Sequence, residues 1–189
     1  MNLSKAVIDQ TLHSLAKGQI ILYPTDTIWG IGCDATNAEA IKRIYVLKKR
    51  EVKKSMIILV SDQEMLIKYV SAPSPKILSY LSLQKTPTTA VFKGAIHLPR
   101  VLINEDGTVA IRIVKDDFCR ALINQLKKPL VSTSANISGE IYPANFLKVS
   151  DEIKNGVDFI VPHRQEEMNL YSPSCIIKLN EEDEIVMIR

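Results

Sequence analysis

Spaced apolar residues and short apolar runs alternate along most of the chain. Ile8, Leu12 and Leu15 recur at helical spacing and Gly18 follows as a stop signal, so this pattern predicts a helix over residues 4–17. The same criteria predict further helices over about 37–48, 61–68, 75–83, 116–126 and 150–154.

Aliphatic runs without alternation predict the strands of a buried sheet. They lie at 20–23, 56–60, 88–92, 108–113, 129–132, 159–161, 175–179 and 185–188. Because strands and helices interleave, we expect an α/β (α+β) fold, a twisted, mixed β-sheet flanked by helices. The last three strands have no helices between them, so we expect antiparallel members there. A chain of 189 residues predicts one domain, 1–189.

Composition is typical of a globular protein and argues against several special classes. Apolar residues make up 46% and charged residues 24%, and a net charge of +3 suits anionic ligands without establishing nucleic-acid binding. The three cysteines and three histidines are scattered, so we expect neither a disulfide framework nor a tightly bound, protein-ligated metal. The N-terminal sequence lacks a signal-peptide or transmembrane pattern, so we expect a cytoplasmic protein without membrane contact.

A polar segment at 132–139 carries the strongest sign of a binding site. Its sequence is Ser-Thr-Ser-Ala-Asn-Ile-Ser-Gly, and it follows the predicted strand 129–132. Short hydroxyl and amide side chains at the carboxyl end of a strand can bind phosphate or carboxylate oxygens in the crevice there. The alternative is a turn whose Asx or Ser/Thr hydrogen bonds cap the next helix.

A cluster of cations follows the second predicted helix. Lys48, Lys49 and Arg50 are followed closely by Lys53 and Lys54. One or two cations would offset the helix dipole, so five exceed that need, although a solvated basic face is the alternative. If the helix ends between Lys48 and Arg50, both can point at one pocket, where an ammonium and a guanidinium suit a triphosphate.

Two segments nearer the N-terminus have ambiguous chemistry. Residues 24–27, Pro-Thr-Asp-Thr, follow a strand and offer two hydroxyls and a carboxylate, although a simple turn explains them without any ligand. Residues 30–35 match G-x-G-x-x-A, the dinucleotide-binding fingerprint. These glycines lie well beyond strand 20–23 and the next helix begins only after Asn37, so the context does not favour a dinucleotide site.

Arg112 lies inside the apolar strand 108–113, where a charge is costly unless it is paired or faces a ligand cleft. The alternative is an edge position or an internal ion pair, for example with Asp116 or Asp117. The sequence Ser-Pro-Ser at 172–174 is explained by a strand-entry turn alone. Because no nucleophile–base arrangement is evident, the cations and hydroxyls suit phosphate or adenylate chemistry through positioning and charge neutralisation.

Taken in order, these segments resemble the YrdC/TsaC family of threonylcarbamoyl-AMP synthases. The matching pieces are 24–35, the Lys48-x-Arg50 pair, 109–113 and 128–139, with a weaker match at 172–177. Together they cover nearly the whole chain, and the Lys-x-Arg and Ser-x-Asn pairs with the Pro-Thr-Asp segment are specific. The resemblance implies a YrdC-like fold whose sheet has a concave basic face.

The resemblance also implies a reaction and its partners. L-threonine, bicarbonate and ATP, with Mg²⁺, would give threonylcarbamoyl-AMP and pyrophosphate, a nucleotidyltransferase reaction that begins t6A modification of tRNAs. A tRNA threonylcarbamoyl transferase complex would act downstream. Weak binding of tRNA or double-stranded RNA is compatible with the implied basic face.

Carried over residue by residue, the family's site falls on eight positions of this chain. The residues that would hold the triphosphate and the adenylate are Lys48, Arg50, Ser134 and Asn136. Thr25 would help to bind threonine, and Ser132 and Ser174 would line the nucleotide side. Arg112 would complete the anion-binding wall.

The chain departs from the family pattern in places. The proline expected after the Lys-x-Arg arginine is Glu51, a Pro-Leu shortly beyond is replaced by 55–56, and the Trp-Pro-Gly-Pro segment is represented only by 85–89. Glu51 would place an anion beside the implied phosphate site. Two other functions therefore stay open: a YciO-like protein that binds double-stranded RNA or tRNA without synthase activity, and a nucleotide-binding protein without chemistry.

Overall fold

A nine-stranded mixed β-sheet runs through the computed structural model, which describes residues 4–52, 54–168 and 171–189. The strands are β1 Ile21–Tyr23, β2 Gly30–Gly32, β3 Ile57–Val60, β4 Thr88–Lys93, β5 Thr108–Ile113, β6 Leu130–Ser134, β7 Phe159–Ile160, β8 Cys175–Leu179 and β9 Ile185–Met187. The helices are α1 Lys5–Ala16, α2 Ala38–Leu47, α3 Gln63–Leu66, α4 Pro75–Leu83, α5 Asp117–Leu126 and α6 Asp151–Gly156.

The strand order is β7-β1-β2-β6-β3-β5-β4-β8-β9, which brings distant parts of the chain side by side. Strand β6 lies between β2 and β3 and is antiparallel to both. Strand β5 lies between β3, to which it is parallel, and β4, to which it is antiparallel. With α1 packed against β1 and α4 against β4, this arrangement confirms the expected α/β class with a mixed sheet flanked by helices.

Side-chain caps begin two of the helices where the sequence predicts them. The Asn37 side chain accepts from two backbone amides at the start of α2, and Asp116 accepts from Cys119 N at the start of α5. For α3, which the sequence predicts over 61–68, the predicted start is one residue too early. Asp62 is the cap, accepting from Met65 N at 2.7 Å, while the hydroxyl of Ser61 donates to the Asp62 carboxylate.

The sequence reasoning missed strand β2. Its residues 30–32 belong to the segment that matched the dinucleotide fingerprint, yet they pair antiparallel with β1 and β6 and form no phosphate-binding turn. Gly32 has no side chain, so the ring of Tyr23 can cross β2, and the Tyr23 hydroxyl donates to Val131 O at 3.1 Å. Glycine therefore serves close packing between strands here.

The expectation of antiparallel late strands is partly wrong. Strand β9 is antiparallel to β8, but β8 pairs parallel with β4, and β7 pairs parallel with β1. Both parallel partners come from much earlier in the chain, so the connections between them are long crossovers. None of the described helices has the length and the apolar character that a bilayer crossing requires.

Replacing Gly32 with alanine should destabilise the protein. A Cβ atom at this position would overlap the carbonyl oxygen of Val131 and lie 2.7 Å from Tyr23 Cε1. We expect Gly32→Ala to lower the free energy of unfolding by about 1–3 kcal/mol, the usual cost of overpacking. Urea denaturation measures this loss.

Gly30→Ala is the matched control, because its Cβ would come no closer than 3.3 Å, to the Ser132 hydroxyl. We expect it to cost less than about 1 kcal/mol. Equal stabilities for Gly32→Ala and the wild type would contradict the packing argument.

Candidate active site

A cavity of about 340 Å³ opens on one face of the central strands. Residues of β2, β3, β4, β5, β6 and β8 line it, together with the loops before β2 and after α2 and the last two residues of the sequence. Five of the eight predicted site residues lie on its lining, namely Arg50, Arg112, Ser132, Ser134 and Ser174.

Strand geometry explains why these residues share a face. Ser132 and Ser134 are two apart in β6 and therefore point the same way, and the side chains of Ala110 and Arg112 do the same in β5. Gly30 pairs with Ser134 across β2 and β6, so no side chain blocks that end of the cavity. The strand β6 extends to Ser134, so the predicted loop hydroxyls are in fact held rigidly by the sheet.

Arg112 is a buried cation in the middle of the sheet, with only 3% of its surface exposed. Its Nη2 lies 3.1 Å from Asp26 Oδ1, and its Nη1 donates to Thr27 Oγ1 at 3.1 Å. Nε has no hydrogen-bond partner among the described residues. The internal ion pair that the sequence left open therefore exists, but its partner is Asp26; Asp116 pairs instead with Arg164 at 2.7 Å.

The hydroxyl of Thr25 is occupied by its own loop. Thr25 Oγ1 donates to Ile28 O at 2.9 Å, and it accepts from Thr27 N and lies 2.8 Å from Thr27 Oγ1. Thr25 does not line the main cavity but a small neighbouring pocket. Its role in threonine binding stays a prediction. What the contacts show is that Thr25 holds Thr27, which lies on the cavity wall.

Lys48 lies behind the site and does not line the cavity. It follows the last residue of α2, is 1% exposed, and its ammonium donates to the carbonyl oxygens of Ser134 and Asn136. In return Ser138 N donates to Lys48 O at 2.8 Å. Burial, with a smaller effect of Arg50, lowers the pKa of Lys48 to about 7.

Arg50 behaves differently from Lys48, because its guanidinium reaches the cavity wall. Nε donates to Lys54 O and Nη2 to Ser55 O, each at 2.8 Å, which fixes the planar group in place. Glu51 is exposed, lies near Lys54 at 3.7 Å and does not line the cavity. The anion expected beside the phosphate site is therefore directed elsewhere. Lys53 lies outside the described residues.

Asn136 organises the turn after β6. Its Nδ2 donates to Ile137 O at 2.9 Å and to Glu140 O at 2.8 Å, and its Oδ1 is buried without a hydrogen-bond partner among the described residues. Asn136 does not line the cavity. Lys48 and Asn136 thus lie at the same turn, where the Lys48 ammonium and the Asn136 amide nitrogen bind backbone carbonyls. Their contact with the triphosphate stays a prediction.

Sequence reasoning missed Arg189, whose guanidinium also lines the cavity. The β8–β9 hairpin returns the C-terminus to the start of β8, where Arg189 Nη2 donates to Ser174 O at 3.2 Å. The Ser174 hydroxyl lies 2.8 Å from Thr89 Oγ1. Burial and the neighbouring Arg112 lower the pKa of Arg189. A lone arginine after an apolar run carries no sequence signal. Asn104 and Tyr142 are further missed lining residues, whereas Thr27 belongs to the candidate segment 24–27.

The charged residues of the described lining all carry positive charge. Three arginines and four serines line it, and none of its described residues is an aspartate or a glutamate. Arginine side chains bind phosphate and carboxylate groups in bidentate fashion, and short hydroxyls can bind the remaining oxygens. The cavity is therefore suited to a substrate with more than one anionic group. Whether the whole concave face is basic stays a prediction.

Comparison with known sequences identifies relatives of the whole chain. A family profile described as "Telomere recombination", for the Sua5, YciO and YrdC proteins, matches residues 13–189. A threonylcarbamoyl-AMP synthase of Pseudoalteromonas translucida is 34% identical over 72% of this chain and 74% of its own length. The enzyme of the same name from Idiomarina loihiensis is 32% identical over 80% of this chain and 83% of its own length.

Solved structures show the same fold. YciO of E. coli has a TM-score of 0.82 and 25% identity, covering 100% of this chain and 90% of that one. The P. abyssi Sua5 protein complexed with L-threonine has a TM-score of 0.88 and 24% identity, which supports the fold alone. This chain is matched along its full length but spans only 55% of that Sua5 chain.

The low pKa of Lys48 predicts a pH-dependent contribution to stability. In the unfolded chain Lys48 keeps an ordinary pKa of 10.5, so above pH 7 the folded protein binds fewer protons than the unfolded one. The free energy of unfolding of the wild type should therefore rise relative to that of Lys48→Met between about pH 7 and 10, by up to about 1.4 kcal/mol per pH unit. Below about pH 7 the difference should be constant.

Urea unfolding at pH 6, 7, 8 and 9 measures this difference. Lys42→Met is the control, because Lys42 lies on the surface of α2 and its ion-pair partner among the described residues is the exposed Glu39. Parallel pH curves for the wild type and Lys48→Met would show that Lys48 is not buried as described.

Proposed function

Because the chain belongs to the Sua5/YciO/YrdC family, we propose that it is a threonylcarbamoyl-AMP synthase, which makes threonylcarbamoyl-AMP and pyrophosphate from L-threonine, bicarbonate and ATP. Two relatives with this name match most of the chain at 32% and 34% identity. The observation in the structure that carries the proposal is the convergence of three guanidinium groups from distant segments on one cavity. No observation favours the alternative of an RNA-binding protein without synthase activity.

The proposed reaction brings anions together, which explains what such a cavity must do. The amine of L-threonine takes up bicarbonate with loss of water and becomes a carbamate. A carbamate oxygen then attacks the α-phosphorus of ATP, the bond from that phosphorus to the β-phosphate bridge breaks, and pyrophosphate leaves. A negatively charged nucleophile thus approaches a negatively charged centre. Fixed cations lower this repulsion, and positioning replaces an activated nucleophile.

We assign a role in substrate binding to each cation from its position on the cavity wall. Arg112 has an unpartnered Nε and only an imperfectly aligned contact with Asp26, so it retains donors for an anionic group of the substrate. Arg50 and Arg189 are held by backbone carbonyls and present fixed positive charge to the triphosphate. The hydroxyls of Ser132, Ser134 and Ser174 supply neutral donors beside them.

The remaining predicted residues support this wall from behind. Lys48 and Asn136 hold the backbone at the end of β6, so that the Ser134 hydroxyl keeps its place. Thr25 holds Thr27, which in turn accepts from Arg112. We propose that these three residues act as positioning residues in the structure as described, and that direct substrate contact by Thr25 requires its loop to rearrange.

Other partners follow from the proposed reaction. Mg²⁺ prefers oxygen ligands and commonly binds through substrate phosphates. Because the described lining lacks carboxylates, we propose that Mg²⁺ enters bound to the triphosphate. The product would pass to a tRNA threonylcarbamoyl transferase complex for t6A modification. We also propose weak contact of tRNA with the face of the sheet on which the cavity opens.

An assay of pyrophosphate release tests the proposal. With ATP, Mg²⁺ and bicarbonate, we expect release that depends on L-threonine. L-serine should support it less well by about 1–3 kcal/mol in kcat/KM, because serine lacks the methyl group that an apolar contact would bind. Pyrophosphate release at the same rate without any amino acid would exclude the synthase function.

Substitution of the cavity arginines should abolish activity while the fold persists. We expect Arg50→Ala and Arg189→Ala to lower kcat/KM by about 100- to 1,000-fold, the usual effect of removing a fixed donor that stabilises transition-state charge. Each should cost no more than about 1.5 kcal/mol of stability, because each removes hydrogen bonds near the surface.

Arg120→Ala is the matched control. Arg120 is exposed on α5 and does not line the cavity, so this variant should retain wild-type activity. Full activity of Arg50→Ala and Arg189→Ala would mean that the cavity is not the active site.

A further inference from the structure

We propose that Asn104 selects adenine over 6-oxopurines in the nucleotide that this cavity binds. The inference deepens the proposed function and rests on it. Asn104 lines the cavity, yet neither the segments that carry the family resemblance nor the other motifs noted in the sequence include it. Its side chain carries both an acceptor and a donor, so what it recognises depends on which of the two faces the ligand.

A tight turn fixes the position of Asn104. Asn104 N donates to Thr108 O at 2.9 Å, and Gly107 N donates to Asn104 O at 3.0 Å. Gly107 has φ +77°, a left-handed conformation that favours glycine. Arg100 Nη1 also donates to Asn104 O at 3.0 Å. Three hydrogen bonds therefore hold this backbone before any ligand arrives, as a specificity-determining contact requires.

A chain of hydrogen bonds fixes the orientation of the amide. The Thr108 hydroxyl lies 2.6 Å from Asp106 Oδ1 and donates its single proton to that carboxylate. The bonds from Thr108 lower the pKa of Asp106, so this carboxyl is ionised and can only accept. Thr108 Oγ1 must then accept from Asn104, whose Nδ2 lies 2.9 Å away. Within the part of the chain that the structure describes, nothing donates to Asn104 Oδ1.

The surroundings of Asn104 suit a purine ring. Ala110 and Val91 are registered neighbours on β5 and β4, and both line the cavity floor. The small side chain of Ala110 leaves space above the sheet. Arg112 lies two residues beyond Ala110 on the same face of β5. Thr108 and Arg112 are four residues apart, so the distance between them along the strand is about 13 Å. A nucleoside monophosphate can span this distance, with its base beside Asn104 and its phosphate among the arginines.

With Nδ2 bound to Thr108, the side-chain carbonyl of Asn104 is the group left for a ligand, and it would distinguish the two classes of purine. Adenine presents an N6 amino group, which can donate to Asn104 Oδ1, whereas hypoxanthine and guanine present an O6 carbonyl at the same place. An O6 carbonyl that faces Asn104 Oδ1 would bring two acceptors together. Neither oxygen would gain a hydrogen bond, and the two would repel each other. A hydrogen bond lost in this way changes affinity by about 10- to 100-fold.

Equilibrium binding of ATP and inosine triphosphate, each with Mg²⁺, tests the proposal by calorimetry. We expect the wild type to bind ATP about 10- to 100-fold more tightly. Asn104→Ala should bring the ratio of the two dissociation constants to within about threefold, mainly by weakening ATP. Asn124→Ala, which removes an exposed asparagine from α5, is the matched control and should leave the ratio unchanged.

Thr108 provides a second pair of variants. Thr108→Val removes the acceptor that orients the amide, so Nδ2 can turn toward an O6 carbonyl and the affinity for inosine triphosphate should rise. Thr108→Ser keeps the hydroxyl and should keep the ratio. Thermal unfolding of each variant reports whether it is folded.

Equal affinities of the wild type for the two nucleotides would overturn the proposal without any variant. An unchanged ratio in folded Asn104→Ala would overturn it as well. Binding does not require turnover, so a chain that prefers ATP as expected but releases no threonine-dependent pyrophosphate would retain the Asn104 assignment and lose the synthase function.

Discussion

A guanidinium group buried in the middle of a mixed sheet is the constraint around which the cavity is arranged. Arg112 lies on β5 between two other strands, where an unpaired charge would be strongly unfavourable. Asp26 and Thr27 supply its contacts, and both come from the loop between β1 and β2 at the other end of the sequence. These contacts make the charge tolerable in the fold, and because Nε has no partner among the described residues, the group still has capacity for a ligand.

The site therefore has two layers with different tasks. Arg50, Arg112 and Arg189 line the cavity and determine its charge. Behind them, the Lys48 side chain connects the end of α2 to the turn after β6 through its hydrogen bond to Asn136 O. Thr25 closes the loop before β2 through its hydrogen bond to Ile28 O. Lys48 and Thr25 are buried, and internal hydrogen bonds hold both side chains. Precise placement of fixed charges is what a reaction between two anions needs, because dipoles that are already aligned need not reorganise during the reaction.

The sequence predicted most elements, because its signals were local. Asn37 and Asp116 mark helix starts, and the aliphatic runs mark buried strands. It could not predict β2, because a strand of two glycines and one isoleucine lacks the apolar run that marks a strand. The parallel pairing of β7 and β8 also escaped it, since partners far away in the chain decide that pairing. In the site, residue types indicated an anion-binding role, but burial decided which cation faces the cavity: Arg50 does and Lys48 does not.

A crystal structure of the protein with ATP, Mg²⁺ and L-threonine would locate the anionic groups of the substrates. We expect phosphate oxygens within hydrogen-bond distance of Arg50 and Arg189, and a substrate anion on Arg112, all inside the cavity bounded by β4, β5 and β6. A nucleotide bound elsewhere on the molecule, with these three guanidinium groups unoccupied, would contradict it.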